Sequence, residues 1–297
     1  MRFTLPMKTA AACFAYACML ASPHAHAKLI EEQLQLPVSV ANAHGKRIDQ
    51  QITLTIFFDD ETPSPRSALV LNHGRAVDAA GRAALGRARY PATAGWFAQR
   101  GFIVAVPTRI GYGVTGGEDI EDSGACDRKV YPPGFNAAAQ ETLAVLDLLR
   151  GRPDVQAQRM VAMGQSFGGG TTVALASLNP PGVVAAINFA GGAGGDPVGH
   201  PARPCRPAQL EQTFVDYGKT ARVPMLWAYT ENDKYFGPKY PRQWFEAVKA
   251  VSGAPIEFHQ FGPHGDDGHL LFIKFPEAWQ PVVADFLRRQ GFTDFKD

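Results

Sequence analysis

Arg159-Met160-Val161-Ala162-Met163 runs without a break into Gly164-Gln165-Ser166-Phe167-Gly168, and the reading of this stretch decides the fold. Its first half is a short apolar run of the length of a buried strand. Its second half has the spacing Gly-x-Ser-x-Gly, in which a sharp strand-to-helix turn lifts a serine hydroxyl above the edge of a sheet. Glycine is needed on both flanks because a bulky side chain there collides with the turn. The pattern after it, with Val173, Ala174 and Ala176, predicts a small-residue helix. The N-terminus of such a helix faces the hydroxyl and favours negative charge developing beside it. A glycine-rich turn with a capping serine has the same letters. The strand before Ser166 and the helix after it favour the nucleophile.

On both sides of this turn, short apolar runs alternate with longer helical patterns, which predicts parallel strands joined by crossover helices. Strands are expected over 33–40 and 51–58, the second alternating Ile52, Leu54, Ile56 and Phe58, as an antiparallel entry to the sheet. Buried strands over 68–72 and 102–107, with a helix over 92–100 between them, make a first βαβ unit. A helix over 136–149 places Leu143, Leu146 and Leu149 at helical spacing. Further strands are expected over 183–189, 225–229 and 256–260, and a last helix from about 279 to 289. Residues 190–222 are rich in glycine and proline (Gly191-Gly192-Ala193-Gly194-Gly195, then Pro197, Pro201, Pro204 and Pro207). That segment is too short to own a core and reads as a lid or rim insertion. The expected fold class is α/β, a mostly parallel central sheet flanked by helices.

A serine hydroxyl is a weak nucleophile at neutral pH, so a base must take its proton and a carboxylate must orient that base. Two downstream loops offer these groups at carboxyl ends of expected strands, the edge on which Ser166 falls. One is Thr230-Glu231-Asn232-Asp233, where Asp233 is the candidate acid and Glu231 its rival. The other is Gly262-Pro263-His264-Gly265-Asp266-Asp267-Gly268-His269, where His269 is the candidate base and His264 its rival. His264, Asp266, Asp267 and His269 are also metal-ligand types, but their spacing matches no compact zinc motif and leaves Ser166 unexplained. The expected oxyanion donors are the N–H of Phe167 and that of Arg75, in the loop Asn72-His73-Gly74-Arg75. His73 is expected to pack beneath this loop. The side chains of Arg75, Arg82, Arg87 and Arg89 read either as attractors of an acidic substrate group or as a solvated face.

Across the 297 residues, 29 Lys and Arg nearly balance 28 Asp and Glu, and 45% hydrophobic content suits a large globular core. A formal net charge of +1 gives no field that would gather nucleic acid or anionic membrane. Residues 1–27 combine a basic start, a short apolar run and an Ala25-x-Ala27 ending, the pattern of a signal peptide cleaved before Lys28. A periplasmic or secreted domain over 28–297, with no stable membrane insertion after cleavage, is the expectation. Cys13 and Cys18 would leave with the leader. The remaining pair, Cys126 and Cys205, is then expected to form one disulfide in an oxidising compartment, joining two loops at the carboxyl edge of the sheet.

At several of these stretches the chain resembles the exported serine members of the dienelactone hydrolase-like group of α/β-hydrolases. They are His73-Gly74-Arg75, Pro107-Thr108-Arg109-Ile110-Gly111-Tyr112-Gly113, the turn 164–168 and Asn188-Phe189-Ala190-Gly191-Gly192. Leu226-Trp227-Ala228-Tyr229-Thr230-Glu231-Asn232-Asp233, Tyr235-Phe236-Gly237-Pro238 and Gly265-Asp266-Asp267-Gly268-His269 complete the set. The resemblance implies an α/β-hydrolase fold and a carboxylic-ester hydrolase working on a small-molecule ester through an acyl-enzyme, with Ser166, His269 and Asp233 as its triad and no cofactor. Dienelactone hydrolases carry a cysteine where this chain has Ser166, which argues against dienelactone itself as the substrate. A serine peptidase or an acyltransferase would use the same residues. A non-catalytic binding protein would keep the fold without the reaction.

Overall fold

A computed structural model describes Met1, residues 28–293 and Phe295. The expected leader, with Cys13 and Cys18, therefore lies outside the described residues except for Met1. Leu29–Ala41 (β1) and Arg47–Asp59 (β2) form an antiparallel hairpin, and β2 then pairs antiparallel with Phe102–Thr108 (β4). Every later pairing is parallel: β4 with Arg66–Asn72 (β3), β3 with Val155–Gln165 (β5), β5 with Val183–Phe189 (β6), β6 with Met225–Thr230 (β7) and β7 with Ile256–Phe261 (β8). The sheet runs β1-β2-β4-β3-β5-β6-β7-β8. It is the α/β-hydrolase arrangement that the sequence implied.

Strands β3 and β4 are buried at every residue, because crossover helices cover both faces of a parallel sheet. Ala79–Ala83 (α1) and Pro91–Ala98 (α2) lie between β3 and β4, and Pro132–Arg150 (α3) leads to β5. Phe167–Ser177 (α4), Pro207–Thr220 (α5) and Lys239–Lys249 (α6) follow β5, β6 and β7, and Leu271–Lys274 (α7) and Pro276–Arg289 (α8) close the chain. Alternate strand residues feed two cores. Val70, Ala105 and Ala162 join Phe135, Val173, Phe214 and Trp244 on one face, whereas Leu71, Val104 and Val161 join Phe97, Trp279 and Phe286 on the other.

The expected strands all form, mostly a few residues longer than the apolar runs that announced them. Thr53 and Thr55, between Ile52, Leu54 and Ile56, are buried as well: the Thr53 N–H donates to the Thr115 hydroxyl and the Thr55 hydroxyl to the Ala88 carbonyl, while Phe57 beyond them enters the second core. Residues 190–222 are not irregular throughout: only their first part is rim, and Pro207–Thr220 is a crossover helix that buries Leu210, Thr213, Phe214 and Gly218. Pro207 in its first turn is compatible with a helix, since the N–H that proline lacks has no helical partner there. Among the described residues no helix is long and apolar enough to cross a membrane.

Candidate active site

Ser166 sits between β5 and α4 with φ 58° and ψ −122°, a left-handed backbone that a side-chain-bearing residue adopts only when its surroundings impose it. Here they do. The Ser166 N–H donates to the Phe189 carbonyl at 2.9 Å, and the Ser166 carbonyl accepts from the N–H groups of Gly169, Gly170 and Gly192 at 2.9–3.1 Å. The flanking glycines are required by contact: a Cβ on Gly164 would lie 2.0 Å from the Gly168 carbonyl oxygen, and one on Gly168 2.2 Å from that of Asn72. The turn thus wedges the serine against the ends of β3 and β6.

His269 lies in a tight turn, Gly268–Leu270, that Asp267 caps by accepting its backbone N–H at 3.0 Å. Its Nε2 is 2.9 Å from Ser166 Oγ and its Nδ1 is 2.9 Å from Asp233 Oδ2. A carboxylate only accepts, so Nδ1 carries the proton and Nε2 is left to accept from the serine hydroxyl. Asp233 is fixed in turn, its other oxygen accepting the N–H groups of Tyr235 at 2.7 Å and Phe236 at 3.0 Å. Asp233 and His269 are 2% and 4% exposed, so little water competes for these bonds. Tyr235 stacks on the His269 ring at 4.0 Å and Phe236 meets it edge-on at 5.4 Å.

The loops carrying acid and base are also clipped to each other. Asn232 accepts the N–H of His264 and donates to the Gly265 carbonyl, and Asp267 accepts the N–H of Lys234. No such clipping or stacking role was legible in the sequence for Asn232, Asp267 and Tyr235, and Asp267 stood out only as a metal-ligand type; an amide and a carboxylate beside the two expected groups were the available signal. The rivals stand elsewhere. Glu231 is exposed, and its N–H bonds the Phe261 carbonyl as a continuation of the β7–β8 ladder. The His264 ring meets the Gly262 carbonyl, Phe261 and Phe275. No group of three or more His, Cys, Asp or Glu able to hold a metal occurs among the described residues.

Ser166, Phe167 and Arg75 line one cleft of about 110 Å³ with Gly192, Ala193, Tyr235 and Phe236. Among the described residues, neither the Arg75 nor the Phe167 N–H is engaged by another protein group. The cleft shares Val77, Lys129, Gly194 and Gly195 with an outer cavity of about 480 Å³, walled by Cys126 and Cys205. Those cysteines form a disulfide with Cα atoms 5.1 Å apart, as the sequence suggested. The four arginines are not free cations. Arg75 and Arg82 both bind Asp119, and Arg87 and the exposed Arg89 both bind Glu31.

Similar solved structures include an acetyl xylan esterase of Paenibacillus sp. R4, 18% identical over 88% of each chain with a TM-score of 0.56. Acetyl xylan esterase 1 of Thermoanaerobacterium sp. JW/SL YS485 is 13% identical over 89% of this chain and 88% of its own, with a TM-score of 0.57. An acylaminoacyl peptidase of Pyrococcus horikoshii matches 87% of this chain but only 41% of its own, at 14% identity and a TM-score of 0.59. At these identities the likeness is one of fold. No curated protein matches the sequence. The model of the dienelactone hydrolase family matches residues 83–265, more than half of the chain, including Ser166 and Asp233 and stopping just short of His269. The chain belongs to the dienelactone hydrolase family.

Proposed function

We propose that the protein is an exported carboxylic-ester hydrolase that works through an acyl-enzyme on Ser166. The observation that carries this reading is the unbroken chain from Ser166 Oγ through His269 to Asp233, with 2.9 Å at each link. In the forward step the Ser166 oxygen attacks the ester carbonyl while His269 Nε2 takes its proton, and Asp233 holds the imidazole and stabilises its charge. The tetrahedral oxygen receives the unengaged N–H groups of Phe167 and Arg75 at the N-terminus of α4. His269 then gives its proton to the departing alcohol. Water, activated by the same imidazole, releases the acid.

The cleft at Ser166 is small, and Phe167, Tyr235 and Phe236 wall it, which favours short acyl groups. The outer cavity is the larger space and suits the alcohol. The acetyl xylan esterases among the structural neighbours are esterases of that acyl size by name. The disulfide fits the oxidising compartment to which the expected leader points. The test is an acid quench during turnover of p-nitrophenyl acetate followed by peptide mass analysis. An acetyl group on the peptide holding Ser166, with hydrolysis slowing as the acyl chain lengthens from acetate to octanoate, is the expected result. Turnover without any acylated serine would contradict the mechanism.

A further inference from the structure

The peptide between Gly74 and Arg75 lies against the nucleophile: a Cβ on Gly74 would sit 3.2 Å from Ser166 Cβ. This peptide is trans, so its carbonyl and its N–H point in opposite directions, and whatever holds one aims the other. The carbonyl is held by His73. His73 Nε2 accepts the Arg109 N–H at 3.2 Å, which leaves Nδ1 protonated and donating to the Gly74 oxygen at 2.7 Å. Burial, with the Arg109 guanidinium beside it, keeps this imidazole well below its usual pKa and therefore neutral.

The other side of the peptide is held through the Arg75 side chain. Its guanidinium makes a two-pronged pair with Asp119, at 2.7 and 2.6 Å, and reaches the Tyr112 hydroxyl at 3.4 Å. Asp119 also binds Arg82 on α1 at 2.9 Å, so one carboxylate ties together both ends of the 75–82 loop. Side-chain exposures of 18% for Arg75 and 26% for Asp119 leave the pair only partly screened by water. Behind it stands a deeper pair, Arg109 with Glu121, both fully buried, and Glu121 accepts the Tyr112 hydroxyl. Arg109 also donates to the His73 carbonyl at 2.8 Å.

We propose that Asp119 is a positioning residue: by gripping the Arg75 guanidinium opposite the hold of His73 on the Gly74 carbonyl, it aims the Arg75 N–H at the oxyanion. The inference rests on the ester-hydrolase reading above and adds to it a carboxylate that touches no substrate atom. A donor that is already aimed stabilises the tetrahedral state without reorganising, so a loosened donor costs more in the transition state than in the bound substrate.

The test compares the parent with Asp119→Asn, Arg75→Lys and the double variant, all of which keep the backbone N–H at position 75 but lose the two-pronged pair. Active sites are counted by fluorophosphonate titration to its end point, so misfolded protein drops out. Since deleting one oxyanion donor outright costs about 10²–10³ in kcat, a misaimed one is expected to lower kcat per titrated site on p-nitrophenyl acetate by about 10- to 100-fold. KM should change little, and affinity for an alkyl boronic acid, which forms a tetrahedral adduct on the serine, should fall in step with kcat/KM. The double variant should be about as slow as either single, because both break one pair. If kcat per titrated site and boronic acid affinity stay within about twofold of the parent in both single variants, the positioning role is overturned, whatever happens to the melting temperature. Ser166→Ala in the same assay separates the two failures. Inactive Ser166→Ala with fully active Asp119→Asn removes only the role of Asp119, whereas active Ser166→Ala removes the hydrolase reading and this inference with it.

Discussion

Removing the Cys126–Cys205 disulfide gives a stability change whose size follows from the structure. The bridged residues are 79 apart in sequence, and their Cα atoms lie 5.1 Å apart, within the span a disulfide accommodates without backbone movement. For a closed loop of about 80 residues the chain-entropy relation gives about 4.5 kcal/mol, acting through the unfolded chain. A domain of about 270 residues melts with an entropy that converts each kcal/mol into about 2 °C, so the bridge is expected to raise Tm by about 8 °C. The assay is calorimetric melting of the oxidised protein, the same protein under reductant, and Cys126→Ser/Cys205→Ser. The last two should agree, and reductant should leave the double variant unmoved. Because both cysteines wall the outer cavity, the double variant should also discriminate less between small and bulky alcohols. A double variant melting within about 1 °C of the oxidised parent would refute the loop-closure reasoning.

At the candidate triad, Asp233→Asn and His269→Ala should each lower kcat by about 10³-fold or more, while Glu231→Gln and His264→Ala stay within about threefold; the reverse order for either pair would reassign that role. Glu141, on α3, accepts the Ile110 N–H at 2.9 Å while its second oxygen finds no partner among the described residues, and burial pushes its carboxyl up to about 8 from an ordinary 4.5. The unfolded chain ionises this group first, so its contribution to stability is intact below about pH 4.5 and is lost as pH rises to about 8. Glu141→Gln should therefore show a flatter dependence of unfolding free energy on pH across that window, measured by denaturant titration. Equal slopes for parent and variant would contradict the assignment.

The sheet was legible because its parallel strands are buried on both faces, so runs such as 68–71 and 183–187 carry no polar residue. The turn at Ser166 was legible because its glycines are demanded by backbone contacts, that of Gly164 with Gly168 inside the turn and that of Gly168 with Asn72 at the end of β3. What escaped the sequence is of two kinds. Helix α5 was hidden by the prolines before it and by a mostly polar surface, its apolar stripe reduced to Leu210 and Phe214. The pairing of Arg75 with Asp119 was hidden because the two lie 44 residues apart, and no local pattern distinguishes a gripped arginine from a free one. Asp233 and Glu231 separate for a related reason. Glu231 still belongs to the ladder and turns outward, whereas Asp233 folds back to accept two N–H groups of its own turn, which a sequence shows only as a carboxylate before Tyr235 and Phe236.

The claim on which everything else rests is that Ser166 is the attacking group. The direct measurement is labelling of the parent and Ser166→Ala with a fluorophosphonate, followed by peptide mass analysis and ester turnover on the same samples. The parent is expected to take up one equivalent on the peptide holding Ser166 and to lose all hydrolysis. Ser166→Ala should take up none and turn over on the order of 10³-fold or more slowly. Label on another residue, or a Ser166→Ala variant that hydrolyses esters within about tenfold of the parent, would contradict the account.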